Sequence, residues 1–337
     1  MRSLKLLASI AISVALFAYL LRSVDLPELW RQLARTQWSW ALLAASLAPA
    51  GLWARAGRWR YLFPPGFRPP GLLAGMMIGY MANNVLPLRA GEIVRIYVVA
   101  RRLRTARGMS PSNSFWLVTA TLLIERVLDS LALVLILGVL VLTIPVPAVF
   151  RWAAGALVLI DVLGVALLVT VARAPDTMRA LLVRGTRRWP GVEQTAVNAF
   201  DVALRGLEGI RSRGHTLPLL AWTSLVWLFP AAAAWSMLRA VHLDLPFIAG
   251  WTVLAFVGLG ISVPSAPGYV GVWHAAAVLG LAVFGVDQAT SVAYALLYHA
   301  SQFVPITLMG WLALMREHLS LGEATHAPEP LARRSET

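Results

Sequence analysis

Apolar runs long enough to cross a lipid bilayer recur along the whole chain, and they restrict the fold more than any other feature. About 20 apolar residues are needed to cross a hydrocarbon core of about 30 Å. The chain of 337 residues is 58% hydrophobic and only 13% charged, which leaves no room for a separate large soluble domain. The sequence therefore predicts an all-α polytopic membrane protein.

Six of the runs are predicted to be full spans. They lie at residues 4–21, 37–54, 115–144, 151–172, 216–238 and 289–314, with tryptophans near several of their ends as interfacial anchors. Two further regions, 71–88 and 247–286, are apolar but interrupted by Asn, Pro or Gly, so broken or re-entrant helices are predicted there.

The predicted spans divide the chain into one membrane domain and a tail. Basic residues precede the run 4–21, as in a signal peptide, but no small-residue cleavage pattern follows, so we interpret it as a retained span. The membrane domain extends over residues 1–315 and includes an Arg-rich amphipathic connector at 173–214. Residues 316–337 are expected to form a flexible tail.

We interpret the net charge of +13 as a result of membrane topology, with the basic residues concentrated on the cytoplasmic side. If segment 71–88 crossed fully, four arginines would move to the outer side, which the positive-inside rule disfavours: Arg55, Arg58, Arg60 and Arg68. The charges thus favour a re-entrant segment, with both termini cytoplasmic in a cell (inner) membrane. Nucleic-acid binding is not expected, and the connector is open to two interpretations, a solvated loop or a platform for anionic lipid.

Four charged side chains interrupt two of the predicted spans. Glu125, Arg126 and Asp129 lie in the run 115–144, where each charge at the centre costs about 2.5–3.5 kcal/mol. Glu125 and Asp129 share one helix face, which indicates a polar network inside the bundle, although snorkelling to the interface is the alternative. Asp161 stands alone in its span, so it needs a partner from another helix or a proton.

The stretch NNVLPLRAGE at residues 83–92 breaks the first interrupted region. Pro87 ends one helix and Gly91 lets a second begin. The new helix start presents unpaired N–H groups that attract anions, and Asn83, Asn84 and Arg89 add donors beside them. Irregular backbone at membrane depth is tolerated where it is buried in protein or lines a wet cavity.

The second interrupted region is also predicted to be a helix, a break and a second helix. Pro264 and Pro267 stop one helix, and Gly268 and Gly271 allow a close turn into another. The spacing P-x-x-x-G occurs in both regions. Paired broken helices in two halves of a chain point to a binding site near the midplane, and they are compatible with pseudo-symmetric halves.

Together, these segments resemble the flippase-like membrane region of the lysylphosphatidylglycerol synthases, also called multiple peptide resistance factors. The matching motifs are N-x-x-P-x-R-x-G-E-x-x-R from Asn84 to Arg95, E-R-x-x-D from Glu125 to Asp129, and P-S-x-P-G-x-x-G from Pro264 to Gly271. The resemblance implies a membrane domain that moves, or helps to move, a polar-headed lipid between leaflets.

The sequence departs from that family pattern in two ways. The synthases carry a soluble aminoacyl-transfer domain after the membrane region, and this chain is expected to be a stand-alone member without it, so transfer of lysine to lipid is not expected. Family members also have a Glu shortly after the second motif, where this chain has His274. A carboxylate role cannot be carried over to that position, although a His could still titrate there.

The leading hypothesis is a translocator of a lipid that is anionic or linked to another polar group. The predicted binding residues come from both interrupted regions and the charged span: Asn83, Asn84, Arg89, Glu92, Arg95, Glu125, Arg126, Asp129, Pro267, Gly268, Gly271 and His274. There is no P-loop motif for ATP, so transport is expected to be downhill or ion-coupled. Asp161, Glu125 and Asp129 are the candidates for carrying protons.

Two other functions stay open at this point. A membrane-embedded glycosyl-, acyl- or phosphotransferase lacks recognisable machinery, because there is no cysteine, no HExxH, no GxSxG and no ligand-spaced histidine pair. Accordingly, no metal and no cofactor are expected, and His274 and His299 are more simply core histidines. A non-catalytic partner of a membrane glycosyltransferase or other lipid-modifying enzyme would use the connector 173–214 as its docking surface.

Overall fold

The computed structural model describes residues 18, 22, 26–86, 90–145, 148–262 and 266–317. Twelve α-helices lie in these residues: α1 (Leu26–Ala34), α2 (Trp38–Arg60), α3 (Leu72–Val85), α4 (Gly91–Arg107), α5 (Pro111–Thr143), α6 (Ala148–Arg173), α7 (Pro175–Thr186), α8 (Pro190–Arg211), α9 (Arg213–Ala240), α10 (Phe247–Gly260), α11 (Val272–Ala282) and α12 (Gln288–Arg316). A short 3₁₀ turn, Pro267–Tyr269, lies between α10 and α11. No strand occurs in the described part of the chain, which confirms the all-α prediction.

Four of the described helices are long and apolar enough to cross a membrane: α5, α6, α9 and α12. They correspond to four of the six predicted spans. The predicted span 4–21 lies outside the described residues apart from residue 18. The predicted span 37–54 begins α2, which continues to Arg60. Two of the arginines in its last two turns, Arg55 and Arg58, have partners inside the protein.

The two interrupted regions fold into two pairs of short helices. We call α3 with α4 the first hairpin and α10 with α11 the second hairpin, since the members of each pair pack against each other. At 1.5 Å per residue, α3 and α10, with 14 residues each, are about 21 Å long. That is shorter than a hydrocarbon core of about 30 Å.

Each hairpin belongs to its own hydrophobic core. The first core joins α2, α3, α4, α5 and α8, with Trp59 and Met76 fully buried. The second joins α2, α9, α10, α11 and α12, and contains Val253 and Tyr294. Because α2 packs along α9, and α12 packs against both α2 and α3, the two cores are held side by side.

The Arg-rich connector 173–214 is helical, as its spacing predicted. α8 packs on α5 and buries Val202 and Leu207 in the first core. α7 buries no residue, and both Leu181 within it and Trp189 after it are exposed. The predicted tail lies outside the described residues from position 318 onward.

Candidate functional site

The tips of the two hairpins meet on α12. Gly268, in the second tip, has φ +67° and lies so close to the first tip that a Cβ there would be 3.2 Å from the Asn84 carbonyl oxygen. The Asn84 side-chain amide donates to Thr307 Oγ1 of α12 at 2.8 Å. His299 Nε2, also on α12, lies 2.9 Å from the Gly268 carbonyl oxygen. One long helix therefore holds both tips.

Within the first tip, Asn83 binds the start of α4. Its side-chain oxygen accepts a hydrogen bond from the Gly91 backbone N–H at 2.9 Å, so it satisfies one of the free donors that a helix start presents. Gly91 also lies against α3, where a Cβ would be 2.0 Å from the Gly79 carbonyl oxygen. Pro87 and Arg89, which the sequence placed in this tip, lie outside the described residues.

Glu125 is the centre of a buried ion-pair cluster. Its Oε1 accepts from Arg95 Nη1 at 3.0 Å and from Arg126 Nη2 at 2.8 Å, while Arg95 Nη2 donates to Oε2. The Arg95 guanidinium carbon also lies 3.9 Å from the centroid of the Trp59 ring. Bidentate bonding and the ring contact together fix the orientation of this guanidinium.

Asp129, one turn after Glu125, pairs with two arginines that sequence reasoning placed in a loop. Arg55 Nη1 donates to Oδ2 at 3.1 Å, and Arg58 Nη1 lies 2.7 Å from Oδ1. Both arginines belong to α2, and Arg58 is fully buried. The positive-inside argument for a re-entrant first hairpin was therefore wrong to count these two as loop charges, because they are paired inside the protein.

The cluster has one more positive than negative charge among the described residues. We call it the arginine cluster, and it consists of four arginines and three carboxylates: Arg55, Arg58, Arg95, Arg126, Glu92, Glu125 and Asp129. Arg126 is the most loosely held of the four. Its side chain is 42% exposed and lies 3.8 Å from both the Glu92 and the Asp129 carboxylates.

A cavity of about 390 Å³ lies between the two hairpins. One part of its lining, the arginine wall, comes from α2, the first hairpin and α5, and consists of Arg55, Asn83, Asn84, Glu92, Arg95, Arg126 and Asp129. Another part, the aromatic wall, comes from α9, the second tip, α11 and α12, and consists of Trp227, Tyr269, Trp273, Tyr298, His299 and Phe303. Both interrupted regions thus contribute to one cavity.

The predicted residues of the second motif support the cavity without lining it. Pro267, Gly268 and Gly271 form the turn before α11. His274 Nδ1 accepts from the Gly271 N–H at 3.2 Å, and its ring packs edge-on against His299 with 4.8 Å between centroids. Glu125 likewise lies behind the lining and is fully buried.

Asp161 is also buried, on α6. It is 5% exposed, and its Oδ2 has no hydrogen-bond partner among the described residues. Leu157, one turn earlier, lines the cavity, and the Cβ position of Gly164, three residues later, is 4.0 Å from Val127 of α5. The carboxyl therefore lies on the face of α6 that turns toward α5 and the cavity.

Sequence reasoning missed the aromatic wall. One signal was present, since Trp227 lies at the middle of α9, whereas tryptophans of membrane helices are enriched at the two interfaces. The other aromatic residues follow one another at unremarkable spacings in apolar segments. Among the described residues, no group of three His, Asp or Glu is arranged to hold a metal ion.

The fold and this cavity define an all-α membrane protein with a polar, partly charged chamber between two broken-helix hairpins. The profile of the family described as the lysylphosphatidylglycerol synthase TM region matches residues 6–310, so the chain belongs to this family. The family gives the protein a membrane lipid-related function. No curated protein matches the chain, and no solved structure matches it.

Proposed function

We propose that the protein moves an anionic lipid between the two leaflets of a membrane, with the headgroup held in the cavity. The observation that carries this proposal is the excess positive charge of the arginine cluster beside a cavity of about 390 Å³. A cavity with unbalanced guanidinium charge favours a phosphate, which arginine binds through two parallel hydrogen bonds. We thus propose a translocator rather than an enzyme.

Arg126 is the side chain best placed to exchange partners when a lipid arrives. It is partly exposed in the cavity, and two of its carboxylate contacts are long, at 3.8 Å. The hydrogen bond to Glu125 at 2.8 Å can hold one edge of the guanidinium while another edge turns to a phosphate oxygen. Arg95, held on both Glu125 oxygens, would provide fixed positive charge nearby.

The proposal also has both hairpins entering the bilayer without crossing it. Helices of about 21 Å bring their polar tips to membrane depth, where the protein rather than lipid surrounds them. Acyl chains would remain along apolar lining residues such as Leu47, Leu157 and Ile306. We further propose that this membrane is the cell membrane and that both termini face the cytoplasm.

If transport is coupled to protons, Asp161 is the residue that we propose to carry them. Glu125 and Asp129 each face several arginines, so protonation would leave buried guanidinium groups unpaired. Asp161 faces no such loss, because no ion pair involving it occurs among the described residues. Replacing it with Asn should remove the pH dependence of exchange while downhill exchange continues.

The test is leaflet exchange in liposomes that contain the purified protein and a fluorescent anionic lipid, read by quenching from outside. Arg126→Gln should slow exchange at least about tenfold, and Arg126→Lys should retain part of it. Arg239→Gln is the matched control, since Arg239 pairs with Asp244 away from the cavity. Wild-type exchange rates for a folded Arg126→Gln protein would contradict the proposal, and so would no exchange by the wild type.

A further inference from the structure

The aromatic wall of the cavity has no part in the proposed binding of phosphate, yet its rings pack against one another in an ordered arrangement. The Trp273 ring stacks on His299 with 5.2 Å between centroids and 27° between planes, and it lies 5.6 Å from the Tyr298 ring. His299 is in turn held by the Gly268 carbonyl oxygen. These contacts within the protein hold the rings together as one surface, so apart from small ring rotations the surface is preorganised to receive a flat partner.

Two hydrogen-bond donors in this wall lack an acceptor. The indole N–H groups of Trp227 and Trp273 are buried, and neither has a partner among the described residues. Buried donors are normally paired, and an orphan is unfavourable. Since both residues line the cavity, small ring rotations would let an occupant with oxygen acceptors satisfy them.

The chemistry of the wall distinguishes between classes of headgroup. An ammonium group, with or without N–H groups of its own, offers no acceptor, so it would leave both indole N–H groups unpaired, and no carboxylate belongs to the aromatic wall. A sugar ring has hydroxyl oxygens that accept hydrogen bonds, and its C–H groups can lie on the electron-rich face of an aromatic ring. Glycerol has the hydroxyl groups but no ring face to stack.

We propose that the lipid headgroup is a phosphoglycosyl group, with the phosphate at the arginine wall and the sugar ring at the aromatic wall. This inference rests on the proposed function, because it places the phosphate in the same cavity. The volume of about 390 Å³ lies within the range of about 300–1,000 Å³ that small-molecule sites occupy. The two walls then bind two parts of one headgroup.

The test is equilibrium binding, which does not depend on transport. Short-chain dialkyl lipids that differ only in headgroup are titrated into the detergent-solubilised protein and followed by calorimetry or native mass spectrometry. The headgroups are glycosyl phosphate, glycerol phosphate, phosphocholine and phosphate alone. Wild-type protein should bind the glycosyl phosphate about tenfold more tightly than the other three.

Variants of Trp273 test whether the preference for the glycosyl phosphate lipid arises at the aromatic wall. Trp273→Leu should remove it and leave binding of the lipid with phosphate alone unchanged, whereas Trp273→Phe, which keeps a ring face without the N–H, should retain part of it. Trp53→Leu is the matched control, because Trp53 is an exposed tryptophan of α2 outside the cavity lining. If Trp273→Leu does not fold, Trp227→Phe, which removes the other unpaired indole N–H and keeps an aromatic ring, should lower only glycosyl phosphate binding.

Several outcomes would overturn the inference. These are equal affinity of the wild type for all four lipids, tighter binding of glycerol phosphate or phosphocholine, and an equal loss of every lipid in folded Trp273→Leu. The proposed function fails separately, when reconstituted wild-type protein exchanges no lipid although it binds the glycosyl phosphate selectively. In that case the sugar preference stands and transport does not.

Discussion

The two hairpins use the same backbone device for different chemistry. Each consists of a short helix, a tip rich in Gly or Pro, and a second short helix, and both tips are held on α12. The first hairpin places Glu92 and Arg95 beside the cavity, whereas the second places Tyr269 and Trp273 there. The break in each helix therefore gives access to membrane depth, while the side chains around it determine what can bind.

The hairpins also differ in how much stabilisation they need from neighbouring helices to offset charged side chains inside the membrane. Charges inside a membrane cost about 2.5–3.5 kcal/mol each at the centre of a span, so the first hairpin requires the ion pairs from α2 and α5. The second hairpin contains no charged side chain in α10 or α11, and apolar packing is enough to hold it. Removing a partner should therefore affect the two hairpins unequally.

The largest effect is expected from Glu125→Ala, which leaves Arg95 and Arg58 buried beside an empty position. Breaking a buried ion pair by removing one partner costs about 3–5 kcal/mol, so the folded yield in size-exclusion chromatography and the unfolding temperature should both fall steeply. Asp244→Ala is the matched control, because the Asp244 side chain is 91% exposed in its pair with Arg239. Its loss should be below about 1 kcal/mol, and equal losses would show that the cluster is not a buried network.

A smaller effect is expected from adding one methyl group inside each hairpin. In Gly91→Ala the new Cβ would be 2.0 Å from the Gly79 carbonyl oxygen, which is backbone and can retreat only if the helices separate. In Gly280→Ala the nearest atom is Val253 Cα at 3.2 Å, so a shift of a few tenths of an ångström relieves the contact. We expect losses of about 3 and about 1 kcal/mol.

Thermal unfolding in detergent, followed by circular dichroism at 222 nm, measures both glycine variants. Gly51→Ala serves as the control, since a Cβ there meets nothing within 4 Å, and Ala in a helix interior is about 0.5–1 kcal/mol more favourable than Gly. If Gly280→Ala were the more damaging variant, the second hairpin rather than the first would be the tightly packed one.

Filling the space between the walls tests whether they act together. Gly51 lines the cavity, and a Cβ added there meets nothing within 4 Å, so the ring in Gly51→Phe should project into the cavity and slow lipid exchange at least about tenfold. Gly138→Phe is the matched control, because Gly138 is a helical glycine with equal room outside the cavity lining. Unchanged exchange with Gly51→Phe would mean that the headgroup takes another path.

The contrast between the hairpins also explains what the sequence could predict. Uninterrupted apolar length is a local property, so hydropathy located α5, α6, α9 and α12, and the Pro and Gly residues located both breaks. The end of α2 was missed because Arg55 and Arg58 look like loop charges until Asp129 is placed next to them. That pairing joins residues 74 positions apart, and no local pattern reports it.

The candidate site, too, was predictable only where a local feature of the sequence marked it. Polar residues in apolar surroundings are conspicuous, so Asn83, Glu92 and Asp129 were predicted and do reach one cavity. Aromatic residues in apolar surroundings are ordinary, so Trp273 and Tyr298 carried no signal of their own. Their role depends on α9, α11 and α12 coming together, which the sequence pattern does not specify.

The smallest effect concerns the helix that follows each hairpin. Ser110 is the N-cap of α5, where its hydroxyl accepts from the Asn113 N–H at 3.2 Å, and Asp287 is the N-cap of α12, where its carboxylate accepts from the Thr290 N–H at 3.0 Å. Partial burial would raise the pKa of Asp287, but hydrogen bonds from the backbone and side chain of Thr290 outweigh it, so the pKa is lowered from 3.8. The first cap is neutral and the second is charged.

The lowered pKa gives only the second cap a pH dependence. The stabilisation from Asp287 is present above its unfolded pKa near 3.8 and is lost as the pH falls through the lower folded value. Asp287→Ala should cost about 1 kcal/mol at neutral pH, whereas Asp287→Asn should keep the cap and remove this acid-dependent loss. Unfolding at pH 7 and at pH 3 measures it, and Ser110→Asp should transfer the same acid sensitivity to α5. If Asp287→Asn loses as much stability on acidification as the wild type, then the sensitivity arises elsewhere, and the two helix starts are equivalent.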